Sequence, residues 1–103
     1  MKTSELTGAA LDWAVQVALQ GSCEGYAEHE YSTNWAHGGP IIEREGINLD
    51  SYAKNPQWSA WTPAPESESG EAQAFGPTPL IAAMRCYVAS QLGDTVDVPG
   101  EFK

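Results

Sequence analysis

The sequence is poor in positive charge. Lys and Arg together number 5 among 103 residues, against 14 Asp and Glu, for a formal net charge of −9. Proteins that hold DNA or RNA draw most of their affinity from Lys and Arg contacts to phosphate. So few cations exclude a polyanion channel, and an anionic membrane surface is excluded on the same ground. No apolar run approaches the ~18 residues that a bilayer-spanning helix needs. Cysteine is scarce too: Cys23 and Cys86 stand far apart and form no CxxC unit, which excludes a thiolate zinc cluster. In a reducing compartment both read as free thiols. The chain also lacks GxSxG, HExxH, GxxxxGK[ST] and GxGxxG. None of these motif-borne reactions is therefore indicated, no cofactor is implied, and the chain reads as non-enzymatic.

What is present suits one small domain spanning residues 1–103,. Leu6, Ala10, Trp13, Ala14 and Val17 recur at helical spacing and predict a helix over about 5–20,. Ser4 or Thr7 is its cap and Gly21 its left-handed stop. Glu5 and Asp12 interrupt the N-terminal apolar stretch, so it reads as mature structure and the expected location is the cytoplasm. Residues 22–51 are rich in Gly, Ser, Asn and aromatics and read as turns and short extended pieces,. Ile41, Ile42, Ile47 and Leu49 are strand-like, with a hairpin expected near Arg44-Glu45-Gly46. Trp58 and Trp61 lie in a short segment bracketed by Pro56 and Pro63. From about 63 to 74 the composition turns to Pro, Ser, Glu and Gly, predicting a mobile acidic loop,.

The clearest element follows. Thr78 is a good N-cap, Pro79 suits the first helical position, and Leu80, Met84, Tyr87 and Val88 repeat at helical spacing, predicting a helix over 79–92,. Gly93 ends it, and "DTVDVP" reads as a short edge strand. The fold class is α+β: two amphipathic helices packed with a few short strands and long Gly/Pro-rich loops.

Candidate binding residues gather around "GPTPLIAAMR" at 76–85 and "HGGP" at 37–40. A helix start presents free N–H groups and a partial positive charge, which favours anions. Thr78 adds a hydroxyl and the first turn at Leu80 adds backbone N–H. Gly38 and Gly39 would allow close backbone approach of a phosphate or ribose. Arg44 and Arg85 are two of the few cations. Trp35 or Trp58 could stack on a planar base. A well-capped helix and a Gly-rich turn account for the same residues without a ligand, since caps are far commoner than anion sites. His29 and His37, with Glu28 or Glu30, could ligate a metal, but their spacing is not diagnostic, and no metal site is assigned. Glu43 and Glu45 read as a solvated strand face. Cys86, mid-helix among apolar residues, reads as buried and structural.

"MKTSELTGAALDWAV", "YSTNWAHGGPIIEREGI" and "GPTPLIAAMRCYVASQLGD" together resemble the NinX-like proteins of tailed bacteriophages and their prophages. The resemblance implies a small accessory protein made in the cytoplasm of an infected bacterium. It implies no reaction and no residue roles. The expected function is to bind a small anionic, nucleotide-derived ligand and so to sequester a host antiviral signal, with a homo-oligomer completing a site for which one small chain offers little concavity. The alternative is an inhibitor that docks its acidic surface on a basic host protein as a mimic of DNA charge.

Overall fold

Helix α3, Pro79–Leu92, is the hub on which the other elements pack. The computed structural model describes residues 1–23, 25–52, 57–64 and 70–102. A 3-10 turn at Thr3–Glu5 leads into α1, Gly8–Gln20; α2 follows at Trp35–Glu45. Strands β1, Asn48–Tyr52, β2, Gln57–Pro63, and β3, Glu71–Gly76, form an antiparallel sheet in the order β1-β2-β3. The fold is α+β, with three α-helices and a three-stranded sheet among the described residues.

α3 starts as the sequence predicts. Thr78 Oγ1 accepts a hydrogen bond from Ile81 N at 3.1 Å, and Pro79 occupies the first turn. Burial then runs past a single stripe: Leu80 and every residue from 82 to 88 are buried. A helix apolar all round belongs in the middle of a fold. The sheet face beneath it is built from small residues, Ala60, Ala72, Ala74 and Gly76. They allow close approach: a Cβ on Gly76 would stand 2.8 Å from Ala82 N. The glycine before Thr78 therefore has a packing cause.

α1 begins at Gly8, with Thr7 and not Ser4 at its cap, and ends at Gly21 in the left-handed conformation. Its buried face is Ala10, Leu11, Ala14 and Val15, one position round from the expected stripe. Trp13 moves to the rim, where Nε1 donates to Cys23 O at 3.2 Å.

Three expectations are corrected, and one stretch that carried none is assigned. The turns and hairpin expected across 35–46 are instead helix α2 and its cap. Asn34 Oδ1 accepts from Ala36 N at 2.9 Å to start it, and Gly46 closes it in the left-handed conformation. The helix holds despite Gly38, Gly39 and Pro40 because packing on α3 outweighs propensity,. The loop expected over about 63–74 is shorter at both ends, because Pro63 completes β2 and Glu71–Gly76 is β3. Residues 65–69 of that loop lie outside the described residues. The six-residue stretch around Trp58 and Trp61 is the central strand β2. The edge strand expected at 94–99 is reduced to one bridge, Thr95 with Lys2, where Val96 N donates to Met1 O at 2.9 Å.

Candidate functional site

Helices α2 and α3 run in the same direction, which brings their starts together. Gly38 meets Leu80 near one end: a Cβ on Gly38 would stand 2.5 Å from Leu80 Cδ1. Arg44 meets Tyr87 one to two turns further along both helices, where burial raises the Tyr87 pKa and the guanidinium opposes the rise. Two helix N-termini thus lie side by side, capped by Asn34 and Thr78. Neither first turn carries an acidic residue, although the chain holds 14 of them. The positive ends of both dipoles are left unneutralised by the helices' own side chains. Trp35, the first residue of α2, is 52% exposed. Trp58 lies opposite Gly76 in the sheet and is half-buried against the core.

A cleft with a volume of about 340 Å³ opens beside the start of α1. It lies between the start of α1, at Gly8 and Ala9, and the loop carrying Tyr26, His29 and Glu30. Three α1 side chains tie that loop down. Asp12 Oδ1 accepts from Ser32 N at 2.8 Å, Gln16 Oε1 accepts from Glu28 N at 2.7 Å, and Trp13 holds Cys23 O. Asp12 is 8% exposed and lines the cleft. Burial pushes its carboxyl above the ordinary range and Glu30 adds to the rise, while Ser32 opposes it. Ser32 Oγ lies near enough to favour the carboxylate but outside hydrogen-bond geometry, and it is buried without a partner. His29 stacks on His37 with ring centroids 4.3 Å apart and planes within 14°. Tyr31 meets His29 edge-on at 5.7 Å. Near-parallel imidazoles aim their lone pairs along parallel planes, so the pair does not converge on one ion. Among the described residues no group of three or more His, Cys, Asp or Glu could hold a metal.

The family model described as Bacteriophage P22, NinX matches residues 2–91. The chain belongs to the NinX family. It is a phage accessory protein by that membership, and no curated protein matches it. Among the described residues, no helix of this NinX chain is long and apolar enough to cross a membrane.

Of the residues singled out in the NinX sequence, Gly38 and Leu80 touch, Trp35 opens α2, Thr78 caps α3, and Trp58 pairs with Gly76, two residues before that cap. A Cβ on Gly39 would meet only Trp35 Cε3, at 3.8 Å. Gly38 and the Leu80 side chain are buried against each other, so their part is packing. The two arginines lie elsewhere. Arg44 is at the far end of α2, where Nε donates to Glu45 Oε2 at 2.9 Å. Arg85 is 9% exposed, with Nε donating to Leu6 O at 2.7 Å and Nη1 to Phe75 O at 2.8 Å. It ties α3 to the N-terminal segment and to β3, and burial lowers its pKa. The cleft around Asp12 escaped the sequence reading. Its one signal was an aspartate between Leu11 and Trp13 in an apolar helix.

Proposed function

We propose that this NinX-family protein is a non-enzymatic accessory protein that binds a small anionic, nucleotide-derived ligand and thereby sequesters a host antiviral signal. The observation that carries the reading is the pair of parallel helix starts at Asn34 and Thr78, both free of acidic residues in the first turn. Backbone N–H groups and two aligned dipoles favour phosphate there. Trp35, half exposed at the same end, offers a flat face for a base,. Arg44 and Arg85 take no direct part, because one is a helix length away and the other is committed to carbonyls. A second copy of the chain facing this end would supply the missing wall.

The test is a thermal-shift and calorimetric screen of the purified protein against mononucleotides, cyclic nucleotides and ADP-ribose-type compounds, with native mass spectrometry for the oligomer. Trp35→Ala removes the stacking face at an exposed position and should weaken binding about tenfold with the melting temperature unchanged. No stabilisation by any of these compounds at roughly millimolar ligand would remove the reading.

A further inference from the structure

The sheet has one face that the described helices leave open. α3 packs on Ala60, Ala72, Ala74 and Gly76, and α1 and α2 pack on α3 in turn. Side chains alternate along a strand and cross-strand partners point the same way, so the register defines the other face. One row of it is Asp50, Ser59 and Phe75, and the next is Asn48, Trp61 and Gln73. Trp61 is 36% exposed and Phe75 39%, although rings of that size gain most when buried in a core or an interface. Gln73 Nε2 donates to Ser59 Oγ at 3.4 Å, and Ser59 is buried, so the floor between the two rings is closed.

The polar groups around these rings are chiefly acceptors. Asp50 stands diagonal to Trp61, and Glu71 lies on the row beyond Gln73. Asn48 turns its amide nitrogen inward, to Gly46 O at 3.3 Å and Trp61 O at 3.5 Å, and Gln73 gives its own to Ser59. The three strands contain no Lys and no Arg, in a chain of net charge −9. A partner that complements this face brings donors and positive charge. A nucleotide base could stack on Trp61, but its phosphate would meet Asp50 and Glu71. A second copy of the chain would set the same carboxylates against each other, with −9 on each side,. Arginine meets both needs, because its plane stacks on an aromatic face while its fork holds a carboxylate. Diagonal neighbours in a sheet are about 7–8 Å apart, so one guanidinium over Trp61 reaches Asp50. Strands about 4.8 Å apart, rising about 3.3 Å per residue, give a face of roughly 10 by 20 Å, the footprint of a single segment.

We propose that the open face of the sheet docks a basic protein segment, with one arginine stacked on Trp61 and paired with Asp50, and with Phe75 and Glu71 holding the neighbouring residues of that segment. The aromatic pair supplies the contact area, and the carboxylates choose a cationic partner and steer it in. The acidity of the whole chain works in the same direction and makes the encounter salt-sensitive. This surface does not involve the paired helix starts and stands or falls without them.

The experiment is a ¹H–¹⁵N NMR titration of the full chain with a capped pentapeptide of alternating arginine and alanine, up to roughly 5 mM. The same peptide with lysine, or with neutral citrulline, in place of arginine serves as the control. The arginine peptide should shift the amides of residues 48–50, 59–61 and 71–75 saturably, together with the Trp61 indole N–H. The lysine peptide should bind about threefold more weakly, and the citrulline peptide should not bind. Trp61→Ala should weaken the arginine peptide about fivefold, and Asp50→Asn about threefold. Glu43→Gln removes the same charge from α2 and should leave the affinity within about 1.5-fold at physiological salt, where exposed charges are screened over about 8 Å. Trp35→Ala should leave it unchanged. The absence of a saturable shift overturns the proposal. So do shifts spread over the whole chain, a lysine or citrulline peptide that binds as tightly, and equal losses from Asp50→Asn and Glu43→Gln. Concentration-dependent shifts of the same amides without peptide would give the face to a second copy, and also overturn it. Should Trp61→Ala fail to fold, Asp50→Asn against Glu43→Gln and the three peptides on the unaltered chain decide the matter.

Discussion

Gly38 lies against Leu80 so closely that a methyl group added at position 38 would stand 2.5 Å from Leu80 Cδ1 and would also strike the carbonyl oxygen of Tyr31. Because the obstacle includes backbone, the neighbours have little room to yield. Gly38→Ala should destabilise the fold by about 1–3 kcal/mol, the usual cost of overpacking. Gly39→Ala is the matched control. Its Cβ would have ordinary contact with Trp35 only, and an alanine in a helix interior gains about 0.5–1 kcal/mol over glycine. Urea denaturation of the two variants should therefore shift in opposite directions. Equal shifts would mean that α2 and α3 do not pack at this glycine.

The same pair of glycines explains what could be read from the sequence and what could not. α3 was legible because its signals are local: Thr78 caps, Pro79 starts, and apolar residues repeat. α2 was not, because the residues that let it pack on α3 are Gly38 and Gly39, which with Pro40 read as a break. β3 was hidden for a related reason. Its buried face is Ala72, Ala74 and Gly76, chosen for the approach of α3 and poor in strand propensity,. The approach of Gly38 to Leu80 rests on two helices packing side by side, which no local signal carries. The Asp12 cleft depends on a loop held by long-range side-chain bonds and left no periodic trace.

Arg85 is a structural cation by its surroundings, and that can be checked. Its two carbonyl partners, Leu6 O and Phe75 O, sit on separate elements. Arg85→Met keeps the bulk and removes both donors, at about 1–3 kcal/mol for the loss of the buried bond to Leu6 O,. Arg85→Lys keeps a charge but presents a point in place of a fork, so it should fall between the two. Chemical denaturation should rank the proteins unaltered, Lys, Met in decreasing stability. Retained ligand binding in Arg85→Lys would separate this role from any direct contact.

Cys86 provides a probe of global opening. Its thiol is fully buried, donates from Sγ to Ala72 O at 3.4 Å, and is pushed by burial from 9.0 up to about 12. The folded protein thus holds this proton more tightly than the unfolded chain does. Stability from this group is complete below pH 9.0 and is lost as pH rises through the window to about 12, with a slope of at most about 1.4 kcal/mol per pH unit. Cys23 is only partly buried. A thiol reagent at mildly alkaline pH should label Cys23 first, and Cys86 at the rate of unfolding. Prompt labelling of Cys86 would contradict the packing of α3 on β3.

Asp12 carries the opposite kind of information, a residue whose presence costs stability. Burial holds its pKa above the ordinary 3.8, so the fold favours the protonated form. The contribution of this group is fully present below 3.8 and declines as pH rises through the folded value,. At neutral pH the carboxylate is then a burden on the fold. Asp12→Asn removes the charge and keeps an oxygen for Ser32 N–H, so its melting temperature should equal or exceed that of the unaltered protein at neutral pH. That advantage should shrink as pH falls toward the ordinary Asp range. Asp12→Ala should be less stable at every pH, by about 1–3 kcal/mol, because it leaves Ser32 N–H buried without an acceptor. Melting curves of the three proteins across pH test the sign. Asp12→Asn as unstable as Asp12→Ala at neutral pH would show the charge to be compensated within the fold.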